Sequence, residues 1–164
     1  MTIAELIQEF EGEAKTTRRV LERVPTDKLD WSPHVKSMSL GRLAMHLATA
    51  PGAISGWPVQ DHFEFGGGQA PVPTSTDDII AAHDGGVERV KENLRKIGDA
   101  GLDTAWTASA GGKTLMTMPK AAVLRALLMN HTYHHRGQLS VYLRLLDVPV
   151  PPIYGPSADE NPFA

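Results

Sequence analysis

The chain has 164 residues, of which 41% are hydrophobic and 21% charged, a balance typical of a folded globular protein rather than a disordered segment. The formal net charge is -3 and the basic residues are scattered, so the clustered lysines and arginines of a nucleic-acid-binding surface are missing. Cysteine is absent, which excludes disulfides, thiolate ligands and a cysteine nucleophile.

The length predicts one domain over residues 1–164. The first ten residues carry Glu5 and Glu9 and no long apolar run, unlike a signal peptide. No stretch approaches the roughly 20 apolar residues of a membrane-spanning helix. We therefore expect a cytoplasmic protein without a membrane or nucleic-acid partner.

Two helices are predicted in the first third of the chain. Thr2 and Glu5 have the spacing of a capping box, and the apolar residues that follow recur every three or four positions until Pro25. Ser37 and Ser39 are both suitable N-caps for a second helix, whose apolar stripe includes His46. Pro51-Gly52 is expected to kink or end that helix.

A long loop and a third helix come next. Residues Val59 to Pro73 contain three consecutive glycines and are bounded by prolines, which predicts a loop. Thr74, Ser75 and Thr76 precede an Asp-Asp pair, as at a helix N-terminus. That helix is predicted to reach about Lys96, although Gly85-Gly86 weakens it.

The remaining pattern predicts a hairpin, a fourth helix and an extended tail. Residues 106–110 and 114–118 flank Gly111-Gly112, a typical hairpin turn. A strongly periodic segment from Pro119 to about Leu146 predicts the last helix. The proline-rich tail, residues 148–164, should lie extended along the protein surface. The expected fold class is all-α, a four-helix bundle with a small β-hairpin before the last helix.

Two of the seven histidines, His131 and His135, are four residues apart on this last helix. Side chains at that spacing share one helix face, where two imidazoles can reach one cation at metal–nitrogen distances of about 2.0–2.1 Å. Stepping by four from Leu127 to Leu139 passes through both histidines, so they belong to the apolar face. His134 points about 100° away from His135 around the helix axis.

The pair alone does not establish a metal site, because a surface cluster or two hydrogen-bonded core histidines would have the same spacing. A third candidate favours the metal. His46 lies within the apolar stripe of the second helix, where a polar side chain needs a partner. We therefore predict that His46, His131 and His135 bind one divalent transition metal. For His34, His62 and His83, ordinary structural roles are the simpler interpretation.

Several motifs resemble those of the DinB-like (DinB/YfiT) superfamily of bacterial proteins. They are Trp31-Ser-Pro-His34, Lys36-Ser-Met-Ser-Leu40, Leu43-Ala-Met-His46-Leu-Ala48, the hairpin, Asn130-His-Thr-Tyr-His-His-Arg-Gly-Gln-Leu139 and the tail segment Val150-Pro-Pro-Ile-Tyr-Gly-Pro156. The similarity extends over nearly the whole chain.

This resemblance implies a bundle with up-down-down-up connectivity and a metal held by one histidine of helix two and two of helix four. Those positions are His46, His131 and His135. It also implies a homodimer. Some relatives are thiol-dependent enzymes, such as bacillithiol S-transferases and a mycothiol-dependent maleylpyruvate isomerase. No signature in this sequence separates those branches from the others.

Three imidazole ligands leave coordination positions open, as in catalytic rather than structural zinc sites. Zinc or nickel is favoured, and iron, manganese and cobalt also accept imidazole. Two classes of function remain: a metal-dependent enzyme acting on a small-molecule substrate, either a thiol S-transferase with a low-molecular-weight thiol or a hydrolase, and a metal- or ligand-binding stress-response protein without turnover.

Five residues near the histidines are candidates for contact with a ligand, and four of them have an alternative interpretation. Arg136 and Arg144 would either bind an anionic substrate group or, more commonly for helix arginines, be solvated. Tyr133, Tyr142 and Gln138 would either orient a ligand or, for the two tyrosines, pack in the core.

Overall fold

The computed structural model describes residues 2–68 and 70–163, which are mostly helical and contain four helices and one small sheet. Helices α1, α2 and α3 span Ile3–Leu21, Leu40–Ile54 and Thr76–Gly101. Helix α4 occupies residues 120–145 in three contiguous segments, Lys120–Val123, Leu124–Asn130 and His131–Leu145. Strands β1, β2 and β3 span His62–Glu64, Ala105–Ala110 and Lys113–Pro119.

The predicted starts of the first three helices are confirmed by their caps. Thr2 Oγ1 accepts a hydrogen bond from the Glu5 backbone N–H, and the Glu5 carboxylate accepts one from the Thr2 backbone N–H. Ser75 and Asp78 form the same box at α3. Ser39, rather than Ser37, caps α2 by accepting from the Arg42 N–H.

Helices α2 and α3 pack closely because glycines lie where the two helices meet. Pro51 neither ends α2 nor displaces it from the core, because the helix continues to Ile54. A Cβ atom at Gly86 would lie only 2.9 Å from the backbone oxygen of Ala48, and one at Gly52 would lie 3.2 Å from the Gly86 Cα. The close approach of the two backbones therefore depends on the missing side chains. Gly85, one residue away, faces open space.

Adjacent glycines of α3 should consequently respond to alanine in opposite ways. Gly86→Ala should lower the free energy of unfolding by about 1–3 kcal/mol, because the new methyl group meets a backbone carbonyl that can move only with its helix. Gly85→Ala should raise it by about 0.5–1 kcal/mol, since alanine is the better helix former at an open position. Urea titration of both variants measures the difference, and equal effects would contradict this packing.

The sheet differs from the prediction by one strand. The hairpin of β2 and β3 is confirmed, with Gly111 and Gly112 at φ 57° and 73° in its two-residue turn. Strand β1, however, lies within the segment expected to be loop, and it pairs in parallel with β2. Three residues give too short a pattern to be recognised in sequence. The rest of the predicted loop includes Gln69, which lies outside the described residues.

Helix α3 extends past the predicted end at Lys96. It continues to Gly101 with one break at Gly98, whose φ of 66° and ψ of 165° are not helical. Glycine adopts this backbone conformation without a steric penalty, so the chain bends there and resumes its turns.

Apolar side chains from all four helices form the core. One cluster includes Leu21, Leu43 and Leu139, a second includes Phe10, Leu94 and Leu128, and a third forms around Trp106 beneath the sheet. Within the described part of the chain, no helix has both the length and the apolar character needed to cross a membrane.

The tail packs along the surface as expected. Val150 is buried, and the Asp159 carboxylate accepts from its backbone N–H at 2.9 Å. Arg19 donates to the Pro152 carbonyl, and Arg23 forms an ion pair with Glu160. The extended proline-rich segment is thereby attached to α1 and to α4, where Arg144 contacts Asp159.

Candidate metal centre

The last helix has an irregular segment directly before the first of its histidines. Residues Leu124–Asn130 are π-helical, and regular α-helix resumes at His131. Such π-helical turns often occur at functional sites. A wider turn changes the rotation per residue, so the predicted inner residue Leu127 is only partly buried while Leu124 and Leu128 are fully buried.

Three histidine side chains converge between α2 and α4. The His131 Nε2 lies 3.3 Å from His46 Nε2 and 3.0 Å from His135 Nε2. One ligand atom from each of the three residues lies within 4.8 Å of the other two. The sequence had predicted this same group.

The separations suit a metal ion. With metal–nitrogen distances of about 2.1 Å and bond angles between about 90° and 110°, neighbouring ligand nitrogens stand roughly 3.0–3.4 Å apart. Both of the shorter nitrogen pairs fall in that range. In the part of the chain that the structure describes, the group has three members and no carboxylate. The donor set therefore fits a divalent transition metal with coordination positions left open.

Gln138 orients one of the rings. The His135 Nδ1 lies 2.8 Å from the Gln138 Oε1. Because an amide oxygen only accepts, Nδ1 carries the proton and donates it, which leaves Nε2 with a free lone pair facing His131 and His46. Hydrogen bonds of this kind commonly fix the tautomer of metal-binding histidines.

All three imidazoles favour the neutral form. Burial, followed by the neighbouring His135 and His46, lowers the pKa of His131 to about 4. Burial likewise lowers the pKa of His46, with a further contribution from His135. For His135, burial lowers the pKa although the bond to Gln138 opposes the shift. Neutral imidazole is the form that binds metal.

Metal binding should accordingly persist at lower pH than ordinary histidines would allow. Protons compete with the metal for each neutral imidazole, so the apparent dissociation constant for zinc should change less between pH 7.5 and 6 than it would with histidines of ordinary pKa. A synthetic peptide of residues 130–139, whose histidines have pKa values of about 6.5, should weaken already in that interval. Competition with a chromophoric chelator measures both, and parallel curves would contradict the shifts.

The same shifts determine how the stability of the metal-free protein depends on pH. The unfolded chain binds protons at His131 below pH about 6.5, whereas the folded chain does so only below about 4. Between these values the unfolded state binds more protons, so stability rises with pH through that window. Buried His83, whose pKa is also lowered by burial, contributes with the same sign.

The other histidines have separate surroundings. His134 is exposed, as its helical angle predicted, although its ring contacts that of His135. The His34 Nδ1 accepts from the Lys36 backbone, and the His62 Nε2 lies 2.6 Å from the Ser109 hydroxyl. His83 is buried beside Asp84.

A cleft adjoins two of the three histidines. A cavity of about 510 Å³ has His46 and His131 in its wall, together with Trp57 and Arg89. A second cavity of about 310 Å³ meets His46 from the side of Arg42. Of the α2 residues that line the larger cavity, His46 was a site candidate in the sequence. Arg89 gave no signal there, because its place depends on how α3 packs against α2.

The interpretation of Arg136 as a solvated side chain was wrong. Its side chain is 1% exposed and forms an ion pair with Glu13 on α1, so it is neither solvated nor open to an anionic substrate. Arg144 is solvated as expected and pairs with Asp159. Tyr142 packs edge-on against Trp31 and donates to the Met38 carbonyl, which agrees with a packing role.

Comparison with known proteins identifies the family to which this chain belongs. The model of the DinB family matches residues 1–162. The uncharacterized protein YrdA of Bacillus subtilis (strain 168) is 28% identical over 170 residues, covering 97% of this chain and 92% of that protein. A DinB-like protein from Bacillus cereus ATCC 10987 superposes with a TM-score of 0.73 at 30% identity, covering 93% of this chain and 98% of the other.

A second solved structure supports the fold. The DinB-like protein YjoA from Bacillus subtilis has a TM-score of 0.67 at 20% identity, with 88% of this chain and 95% of that chain covered. Similarity in sequence and similarity in fold thus extend over almost the same length. The chain belongs to the DinB family.

Proposed function

We propose that His46, His131 and His135 bind one divalent transition metal and that the protein is a metal-dependent enzyme that transfers a low-molecular-weight thiol to a small electrophile. The observation that carries the proposal is the convergence of three imidazole nitrogens beside a cleft. Structural zinc sites usually have four protein ligands, whereas three ligands beside a cleft are typical of catalysis.

The donor set narrows the choice of metal. Imidazole suits zinc, nickel, cobalt and iron, and manganese less well, so zinc or nickel is the first choice. A metal bound here would supply Lewis-acid chemistry, lowering the pKa of a thiol or water molecule that occupies an open position.

The chain's own residues would provide three further contributions. Gln138 holds the His135 ring in the tautomer that leaves Nε2 free. The partly buried histidines remain neutral near pH 7. The apolar wall beside His46, which includes Ala50 and Ile54, excludes water from an electrophile in the cleft. Because the sequence contains no cysteine, the sulfur nucleophile would come from a separate thiol.

The domain organisation, the cellular location and the oligomeric state are also proposals. We propose a single domain in which the four helices form an up-down-down-up bundle; contacts of α1 and α2 with both α3 and α4 support it. A cytoplasmic location would give access to reduced thiols. The homodimer implied by the family resemblance stays a prediction, which sedimentation analysis of the purified protein would measure.

The assay for transfer uses metal-loaded protein, chlorodinitrobenzene and each of bacillithiol, mycothiol, glutathione and coenzyme A. In the reaction a sulfur–carbon bond forms, the carbon–chlorine bond breaks, chloride leaves and the thiol proton passes to solvent. We expect a metal-dependent rate above background with at least one thiol, and loss of that rate in His135→Ala.

Other results of these assays would support a different function. Metal-dependent cleavage of ester or amide substrates without thiol transfer would establish a hydrolase. If neither reaction occurs while metal occupancy is confirmed in the same sample, the protein is a binding protein and the enzymatic proposal is wrong.

A further inference from the structure

The larger cavity beside the metal centre has a floor built by one helix. His46, Ala50 and Ile54 are spaced by four along α2 and all line it, followed by Trp57 beyond the helix end. The cavity therefore runs lengthwise along α2, with two histidines in its wall and an apolar floor. Its volume of about 510 Å³ is in the usual range for small-molecule sites.

The charge in this cleft has one sign. Arg89 lines the larger cavity and Arg42 lines the adjoining one, while neither lining includes an aspartate or glutamate among the residues that the structure describes. A bound metal would add further positive charge. A cleft whose wall carries cations without carboxylates attracts anionic ligands.

Arg89 differs from the arginines that have structural partners. Arg125 pairs with Glu9 and Arg144 with Asp159, so their guanidinium groups are occupied. Arg89 has no ion pair or hydrogen bond with any residue in the described ranges 2–68 and 70–163. Its planar guanidinium can therefore offer two parallel N–H donors to an incoming carboxylate.

We infer that the substrate is a small molecule with an apolar body and a carboxylate, that Arg89 binds the carboxylate, and that the body lies along α2 with its other end near His46 and His131. This inference rests on the proposed function, because it names the class of substrate for the same cleft. Arg89 acts here as a specificity-determining residue, and the histidines remain responsible for the metal.

Binding measurements test the inference without any turnover. The probes are phenylalkanoates with chains of two to five carbons and the corresponding neutral primary amides, titrated by calorimetry into wild-type protein. We expect at least one acid to bind about tenfold more tightly than its amide, a preference typical of a charge-assisted bond. Higher salt should reduce that preference, since Arg89 is exposed.

Two variants isolate the guanidinium. Arg89→Gln should remove the preference for the acid while leaving amide binding and metal content unchanged. Arg95→Gln makes the same change in net charge at another exposed position of α3, six residues further along and outside the cleft lining, and should preserve the preference. Every titration is repeated on metal-stripped protein, because a carboxylate can also bind a metal directly.

The outcomes separate this inference from the proposed function. If wild-type protein shows no preference for any acid, or if Arg89→Gln retains the preference in metal-stripped protein, the inference is wrong even where thiol transfer proceeds. If the preference depends on Arg89 but no thiol is transferred, the anion site stands and the proposed reaction fails.

Discussion

Alanine in place of His131 should abolish stoichiometric metal binding. The Nε2 of His131 lies within 3.3 Å of both other ligand nitrogens, so its removal leaves two imidazoles and weakens the site at its centre. Loss of an outer partner such as Gln138 commonly costs 10–100-fold in metal affinity, and we expect loss of a direct ligand to exceed about 100-fold. Elemental analysis after dialysis, with zinc titration against a competing chelator, measures the change.

His134→Ala is the matched control for this experiment. It removes an imidazole from the same helix turn, but His134 is exposed and does not belong to the converging group. We expect it to retain metal, whereas His46→Ala and His135→Ala should lose metal as His131→Ala does. Circular dichroism should show the same helical content in all four variants. Retention of metal by His131→Ala together with loss in His134→Ala would refute the assignment of the ligands.

The metal candidates could be predicted from sequence because their positions follow a local rule. His131 and His135 share a helix face whenever that segment is helical, and the regular spacing of apolar residues predicted the helix. His46 was found because it interrupts an apolar stripe. The distances between the three nitrogens also depend on how α2 packs against α4. A local sequence pattern does not contain that information.

The missed features depend on contacts between distant residues. Strand β1 has only three residues and is recognisable through its pairing with β2, about 45 positions later. The π-helical turn before His131 consists of ordinary helix formers, so propensity does not distinguish it from α-helix. Arg89 enters the cleft, and Arg136 the core, through the packing of neighbouring helices. The face of a helix on which a side chain lies was therefore predictable, while the residues of other elements that contact it were not.

Arg136→Met should produce the largest loss of stability among substitutions near the metal centre. The guanidinium is 1% exposed, and it donates to the Glu13 carboxylate at 2.6 Å, the Glu13 carbonyl, the Thr17 hydroxyl and the Tyr154 hydroxyl. Methionine fills much of the volume but leaves the mostly buried Glu13 carboxylate, which is 19% exposed, without its counter-ion. We expect a loss of about 2–4 kcal/mol in the free energy of unfolding, with Tm lower by about 5–15 °C.

A second ion pair between the same two helices provides the control that isolates burial. Arg125 on α4 binds Glu9 on α1 through two hydrogen bonds, but both side chains are about 40% exposed. Arg125→Met should therefore cost less than about 1 kcal/mol, because water replaces the lost partner. Adding Glu13→Gln to Arg136→Met should restore part of the stability, since the unpaired charge is then removed. Equal losses for Arg136→Met and Arg125→Met in urea titrations would show that burial of the pair does not determine its contribution. If Arg136→Met costs more than Arg125→Met, Arg136 is a structural connection between α1, the tail and the turn of α4 that carries His135. It then stabilises the candidate metal centre without belonging to the group of three histidines.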